Sequence, residues 1–102
     1  MNRHLSVAFD VDGTLIGLDD MRPKYPVINL FRTFEAVGCT MYIWSAGGLD
    51  YATMVAARLG LRAKIVQKGS FRPDIAVDDH AVTLGVVNMR IEPEEPDEVN
   101  DL

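Results

Sequence analysis

The chain has 102 residues, 48% hydrophobic and 25% charged, with a net charge of −5; this suits one packed domain with a single core and argues against both a two-domain and a disordered protein. No apolar stretch approaches the roughly 20 residues that span a bilayer, and the single cysteine, Cys39, cannot form an intramolecular disulfide. Residues Met1 to Ser6 lead into a strand and an acidic cluster, not into the apolar block of a signal peptide, so a cytoplasmic protein without a membrane partner is expected.

Taken in chain order, the apolar run Leu5 to Phe9 ends abruptly at Asp10 and predicts a buried strand. Gly13, Thr14 and Gly17 follow, and Leu18 to Tyr25, with Asp19, Asp20 and Pro23, predicts a turn or small hairpin. Val27, Leu30, Phe31, Phe34 and Val37 recur at helical spacing, with Pro26 suited to the first turn and Gly38 to the C-terminal cap. Cys39 to Trp44 predicts a second buried strand that stops at Ser45-Ala46-Gly47-Gly48. Asp50 is a candidate N-cap for a helix over Tyr51 to Leu59, whose apolar stripe is expected to be core, and Gly60 closes it. Shorter strands are expected over Ala63 to Val66, Ile75 to Val77 and Val82 to Val87, the last interrupted by Gly85.

Six acids, Glu92, Glu94, Glu95, Asp97, Glu98 and Asp101, crowd the C-terminal end beside Pro93 and Pro96. Setting these six aside takes the net charge from −5 to +1, so the acidity belongs to a solvated tail over 92–102 and the folded domain is expected over 1–91. With no basic stripe, nucleic acid is not an expected partner.

Strands alternating with helices predict an α/β fold: a three-layer α/β/α, Rossmann-like architecture around a central parallel sheet. Ligands in such sheets bind beyond the carboxyl ends of the strands. Asp10, Ser45 and Asp78 all follow apolar strands and would therefore gather at one edge. Four carboxylates placed there, Asp10, Asp12, Asp78 and Asp79, repel one another unless a cation is present. Oxygen donors without a cysteine or histidine pair favour Mg²⁺ over zinc.

The segment Asp10-Val11-Asp12-Gly13-Thr14 after an apolar strand resembles the first motif, Asp-x-Asp-Gly-Thr, of the haloacid dehalogenase superfamily. Ser45 after the second strand resembles that family's second motif, Lys68 its third, and Asp78-Asp79 its fourth, so the resemblance covers Asp10 to Asp79 in order. It implies a phosphatase with one catalytic domain over 1–91, in which Asp10 attacks phosphorus to form an aspartyl-phosphate and Asp12 acts as general acid and base. It also implies that Lys68 offsets charge, while Thr14, Ser45, Ala46 and Gly47 hold the phosphoryl group. Mg²⁺ would be bound by Asp10, the backbone carbonyl of Asp12, Asp78 and Asp79, with Asp79 acting either through a metal-bound water or on Lys68. Lys64 and Arg72 compete for the lysine's role; His80 is set aside, Trp44 is expected in the core, and Phe71 is undecided.

The chain departs from the family in two respects. It has no room for an inserted cap domain, so the site should be open, suited to a macromolecular phosphate or to a small phosphorylated substrate covered by a second copy in a homo-oligomer. It also lacks an arginine near Ser45-Ala46-Gly47-Gly48. The competing readings are a non-catalytic magnesium- or phosphate-binding regulatory module and a phosphotransferase to an acceptor other than water, with a polynucleotide-end phosphatase a minor variant.

Overall fold

A computed structural model of the protein describes residues 4–92. The acidic tail expected over 92–102 lies outside the described residues except for Glu92, which is exposed. Five strands, β1 (Ser6–Asp10), β2 (Thr40–Trp44), β3 (Lys64–Ile65), β4 (Ile75–Asp78) and β5 (Val87–Arg90), form one sheet in the order β3-β2-β1-β4-β5. All four pairings are parallel. Two helices, α1 (Tyr25–Ala36) and α2 (Leu49–Leu59), make the first two crossovers. The fold is therefore α/β, compatible with a Rossmann-like plan. Among the described residues no helix is long and apolar enough to cross a membrane.

The central strand β1 is buried on both faces, which is why its sequence reads as a continuous apolar run. Val7 and Phe9 point to the face shared by Met41, Ile43 and Val77; Ala8 lies on the other, with Trp44 and Ala76. Both helices pack on the first of these faces, through Val27, Ile28 and Phe31 of α1 and Ala52, Val55 and Ala56 of α2. Chirality explains this. The steps β1 to β2 and β2 to β3 run in the same direction across the sheet, so right-handed crossovers place both helices on one side. Phe9 packs edge-on against Phe31 at 5.2 Å between ring centroids, a geometry that adds about 1 kcal/mol to the area buried.

The return step from β3 to β4 reverses direction and crosses the opposite face, as does the step from β4 to β5. Among the described residues that face carries no helix. It is covered by Val66, Phe71 and Leu84 from the irregular segments 66–74 and 79–86. Gly69, Pro73 and Gly85 interrupt these segments, and neither has the length of an ordinary helical crossover. Helices were expected on both faces of the sheet; among the described residues they lie on one face only.

The fifth strand also differs, since the expected Val82 to Val87 run is largely loop and β5 begins only at Val87. Gly85 explains the displacement. It lies against β4 so closely that a Cβ would sit 2.8 Å from Ala76 N and 2.9 Å from Val87 O. Its N–H donates to Asn88 Oδ1 at 2.8 Å, and Asn88 Nδ2 donates back to Gly85 O at 2.9 Å. Because the obstructing atoms are backbone, Gly85→Ala is expected to destabilise the protein by about 1–3 kcal/mol in chemical denaturation; an unchanged midpoint would contradict this packing.

The turn or small hairpin expected over Leu18 to Tyr25 is a small hairpin over 15–24, with Gly17 N–H donating to Arg22 O and Lys24 N–H to Leu15 O, both at 2.9 Å, and Tyr25 already belongs to α1. Pro26 lies in the first turn of α1, and Gly60 closes α2 in the left-handed conformation, φ +69°. Asp50 is not the N-cap of α2. Gly48 takes that place, and Asp50 lies in the first turn, where its charge complements the helix dipole.

Candidate functional site

The register pairs Phe9 with both Ile43 and Val77, so the residues that follow, Asp10 and Asp78, emerge side by side at the carboxyl edge of the sheet. Asp10, Asp78 and Asp79 are all buried, at 5%, 1% and 7% exposure, and one carboxylate oxygen from each lies within 4.8 Å of the others. Lys68, in the loop after β3, reaches between them: its Nζ is 3.0 Å from Asp10 Oδ1 and 2.8 Å from Asp78 Oδ2. The contact with Asp10 is a hydrogen bond; that with Asp78 is an ion pair without hydrogen-bond alignment.

The three basic candidates differ in position. Lys64 is exposed on β3, with its Nζ 5.9 Å from the Tyr42 ring centroid, and Arg72 is exposed in the following loop. Lys68 alone of the three joins the carboxylates.

One ammonium against three carboxylates leaves the cluster two charges negative. Burial, reinforced by the charges of Asp78 and Asp79 and opposed by Lys68, pushes Asp10 up to about 6 from its ordinary 3.8. Burial by itself would lower Lys68, but its close pairing with Asp78 and Asp10 outweighs that and holds the ammonium above its ordinary value. Asp78 Oδ1 accepts the His80 N–H at 2.9 Å. Asp79 Oδ1 is buried with no hydrogen-bond partner, which for a carboxylate is costly unless a cation supplies one. The donor set is oxygen only. The triad therefore fits a hard divalent ion, on the strength of the orphaned Asp79 oxygen and the surplus negative charge.

The Asp-Gly loop after β1 is shaped around these acids. Thr14 N–H and Leu15 N–H both donate to Val11 O, at 3.2 and 3.0 Å. Gly13, at φ +78°, lets the chain pass so close to Asp79 that a Cβ there would collide with its carboxylate. Thr14 has no exposed surface and donates to Asp10 Oδ2 at 3.3 Å. Its hydroxyl therefore orients Asp10. Asp12 is half-buried outside the acidic triad, and its Oδ1 accepts the Tyr51 hydroxyl at 2.6 Å.

Ser45 is buried at the end of β2, and its Oγ accepts the Gly47 N–H at 2.9 Å, while Ala46 and Gly47 are exposed. Among the described residues no hydrogen bond or ion pair ties these three to the carboxylates directly. Gly47 instead borders Tyr51, whose Cδ2 would lie 3.0 Å from a Cβ at that position. Trp44 is buried, and Phe71 packs half-buried on Trp44 and Tyr42 at 5.7 and 4.6 Å between centroids, so both belong to the second core cluster.

Two polar residues here went unnoticed in the sequence. Tyr51 was assigned to the core stripe of α2; its ring does pack on that core, but its hydroxyl leaves it for Asp12. The signal available was its position in the first turn of a helix that starts at the ligand-binding edge of the sheet. Lys24 donates to Gly13 O at 2.8 Å and pins the Asp-Gly loop to the hairpin. A cleft of about 210 Å³ opens beside Asp79, between Lys24, Leu18 and Asp20 of the hairpin.

The geometry thus offers a buried carboxylate with an adjacent ammonium, a second carboxylate held apart on a loop, and an acidic triad that could take a cation. Comparison with family models, with curated proteins and with solved structures gives no match for this chain.

Proposed function

We propose that the protein is a Mg²⁺-dependent phosphatase of the haloacid dehalogenase type, hydrolysing a phosphomonoester through an aspartyl-phosphate on Asp10. One observation carries the reading: Asp10 stands at the carboxyl end of the central strand, hydrogen-bonded by Lys68 and Thr14 and grouped with Asp78 and Asp79. A purely structural acid gains nothing from burial next to two other acids. A nucleophile attacking an anionic phosphate needs the positive charge that the cluster attracts.

In the first step an Asp10 oxygen forms a bond to phosphorus as the bond to the leaving oxygen breaks, and Asp12 passes its proton to that oxygen. In the second step Asp12 takes a proton from water, the water oxygen attacks phosphorus, and the bond to Asp10 breaks, releasing inorganic phosphate. Thr14 keeps Asp10 oriented, and Lys68 offsets negative charge on the attacking carboxylate and the phosphoryl oxygens. Ser45, Ala46 and Gly47 border the phosphoryl position, with the Gly47 and Gly48 N–H groups bonded back to Ser45 Oγ and O. Asp10, Asp78, Asp79 and the Asp12 carbonyl would hold Mg²⁺, which supplies charge neutralisation on the transferring group.

In this reading the loop layer over Trp44 and Ala76 takes the place of the third layer of the family plan. The Leu15-to-Lys24 hairpin serves as a short flap in place of a cap domain. The open site then suits a bulky phosphorylated partner or a small substrate covered by a second copy.

Hydrolysis of p-nitrophenyl phosphate with and without Mg²⁺ tests the reading: phosphate release that requires Mg²⁺ is expected. Absence of both turnover and Mg²⁺ binding by calorimetry would overturn it in favour of a non-enzymatic module.

A further inference from the structure

Asp12 must lie near the leaving oxygen in one step and near the attacking water in the next, yet it stands half-buried on a loop, outside the Lys68 cluster. A carboxylate with no fixed partner there would sample several rotamers. The only hydrogen bond to its side chain among the described residues comes from Tyr51, at 2.6 Å. Tyr51 is itself well anchored. Its ring packs against the helical face of the core, and it fits over the loop after β2 because Gly47 has no side chain: a Cβ there would meet Tyr51 Cδ2 at 3.0 Å and Cγ at 3.4 Å.

We infer that Tyr51 is a positioning residue for the proton-transfer step, fixing the Asp12 carboxyl through its hydroxyl and tying the phosphate-side loop after β2 to the acid on the loop after β1. The inference rests on the phosphatase reading. The bond to Asp12, followed by burial, pushes the phenol up to about 12, so Tyr51 remains a hydrogen-bond donor and does not itself exchange the catalytic proton at neutral pH. Its contribution is geometric: general acid catalysis depends on the donor lying within hydrogen-bond reach of the proton's destination.

The test compares two substrates in Tyr51→Phe, which removes the hydroxyl and keeps the ring. A nitrophenolate departs without a proton, whereas an alkoxide needs one. kcat/KM covers events up to the first irreversible step, here leaving-group departure. Tyr51→Phe is expected to lower kcat/KM for an alkyl phosphate such as glycerol phosphate about tenfold, the loss for one well-placed hydrogen bond, and to change it little for p-nitrophenyl phosphate. The ratio between the two substrates is independent of how much enzyme is folded. In an Asp12→Ala background, where there is nothing to position, adding Tyr51→Phe is expected to cause no further change in that ratio.

Equal losses on both substrates, or a further selective loss in the Asp12→Ala background, would show Tyr51 to be merely structural and overturn the inference. A wild-type-like Tyr51→Phe beside an active wild type would also overturn it while leaving the phosphatase reading intact. A wild type inactive on both substrates would overturn the inference, and one that also fails to bind Mg²⁺ would overturn the phosphatase reading with it.

Discussion

Replacing Asp10 by Asn is expected to abolish turnover while making the metal-free protein more stable at neutral pH. Asn keeps the size of the side chain and an oxygen for the Thr14 hydroxyl, but it cannot form the acyl phosphate, and loss of a nucleophile costs on the order of 10⁴-fold or more. The effect on stability has the opposite sign because Asp10 is buried beside two other acids and its carboxyl is pushed up to about 6. The folded state therefore holds this proton more tightly than the unfolded chain does. That contribution is present in full below the ordinary value of 3.8 and is lost as the pH rises through about 6, a difference of roughly 3 kcal/mol. Asn has no charge to desolvate, and Lys68 keeps its partner in Asp78 at 2.8 Å. In EDTA, the wild type should lose thermal stability from pH 4 to 7 relative to Asp10→Asn. At pH 7 the variant should have the higher midpoint, by roughly 4–8 °C for each kcal/mol. A variant that is less stable than the wild type at pH 7, or that retains turnover, would contradict the assignment of Asp10 as a strained, functional acid.

Replacing Lys68 by Met is expected to damage both stability and activity. The ammonium bridges Asp10 and Asp78 at 3.0 and 2.8 Å, and without it three buried carboxylates face one another with no cation. Removing one partner of a buried ion pair costs about 3 kcal/mol, chiefly because the remaining charge is stranded. Mg²⁺ is expected to restore part of the lost thermal stability, since it neutralises the same acids, without restoring turnover to the wild-type level. Lys64→Met is the control: Lys64 is exposed, and its replacement should change stability by no more than about 0.5 kcal/mol. Equal effects at the two positions would contradict the geometry of the cluster.

The approach of Asp10 and Asp78-Asp79 to one edge of the sheet was legible in the sequence because it follows from topology. Apolar runs ending in acids predict strands, and parallel neighbours carry their C-terminal residues to one edge. Lys68 was preferred to Lys64 for its distance from the acidic pair and its place beside Gly69, but periodicity gave no ground for that preference, because which lysine reaches the carboxylates depends on how the chain turns after β3. The contact between the Thr14 hydroxyl and Asp10 was not legible for a related reason: it follows from the complete burial of Thr14 in the loop after β1. Tyr51 fitted the helical stripe so well that periodicity concealed its hydroxyl, which answers to Asp12 on another element. The start of β5 was misplaced because Gly85 looks like a break within a strand, and only the approach of Ala76 N shows it to be a loop residue wedged against β4. Handedness could have predicted which face each crossover covers, but not that segments 66–74 and 79–86 would cover theirs without a helix.

The central claim is the covalent bond to Asp10, and trapping the phosphoenzyme tests it directly. Enzyme mixed with ³²P-labelled substrate and Mg²⁺, then quenched in acid, should carry a label that is stable in acid and released by hydroxylamine, as an acyl phosphate is. Proteolysis should place that label on the peptide containing Asp10, and Asp10→Asn should carry none. Turnover with a label on a different residue, or a label of undiminished intensity in Asp10→Asn, would contradict the mechanism.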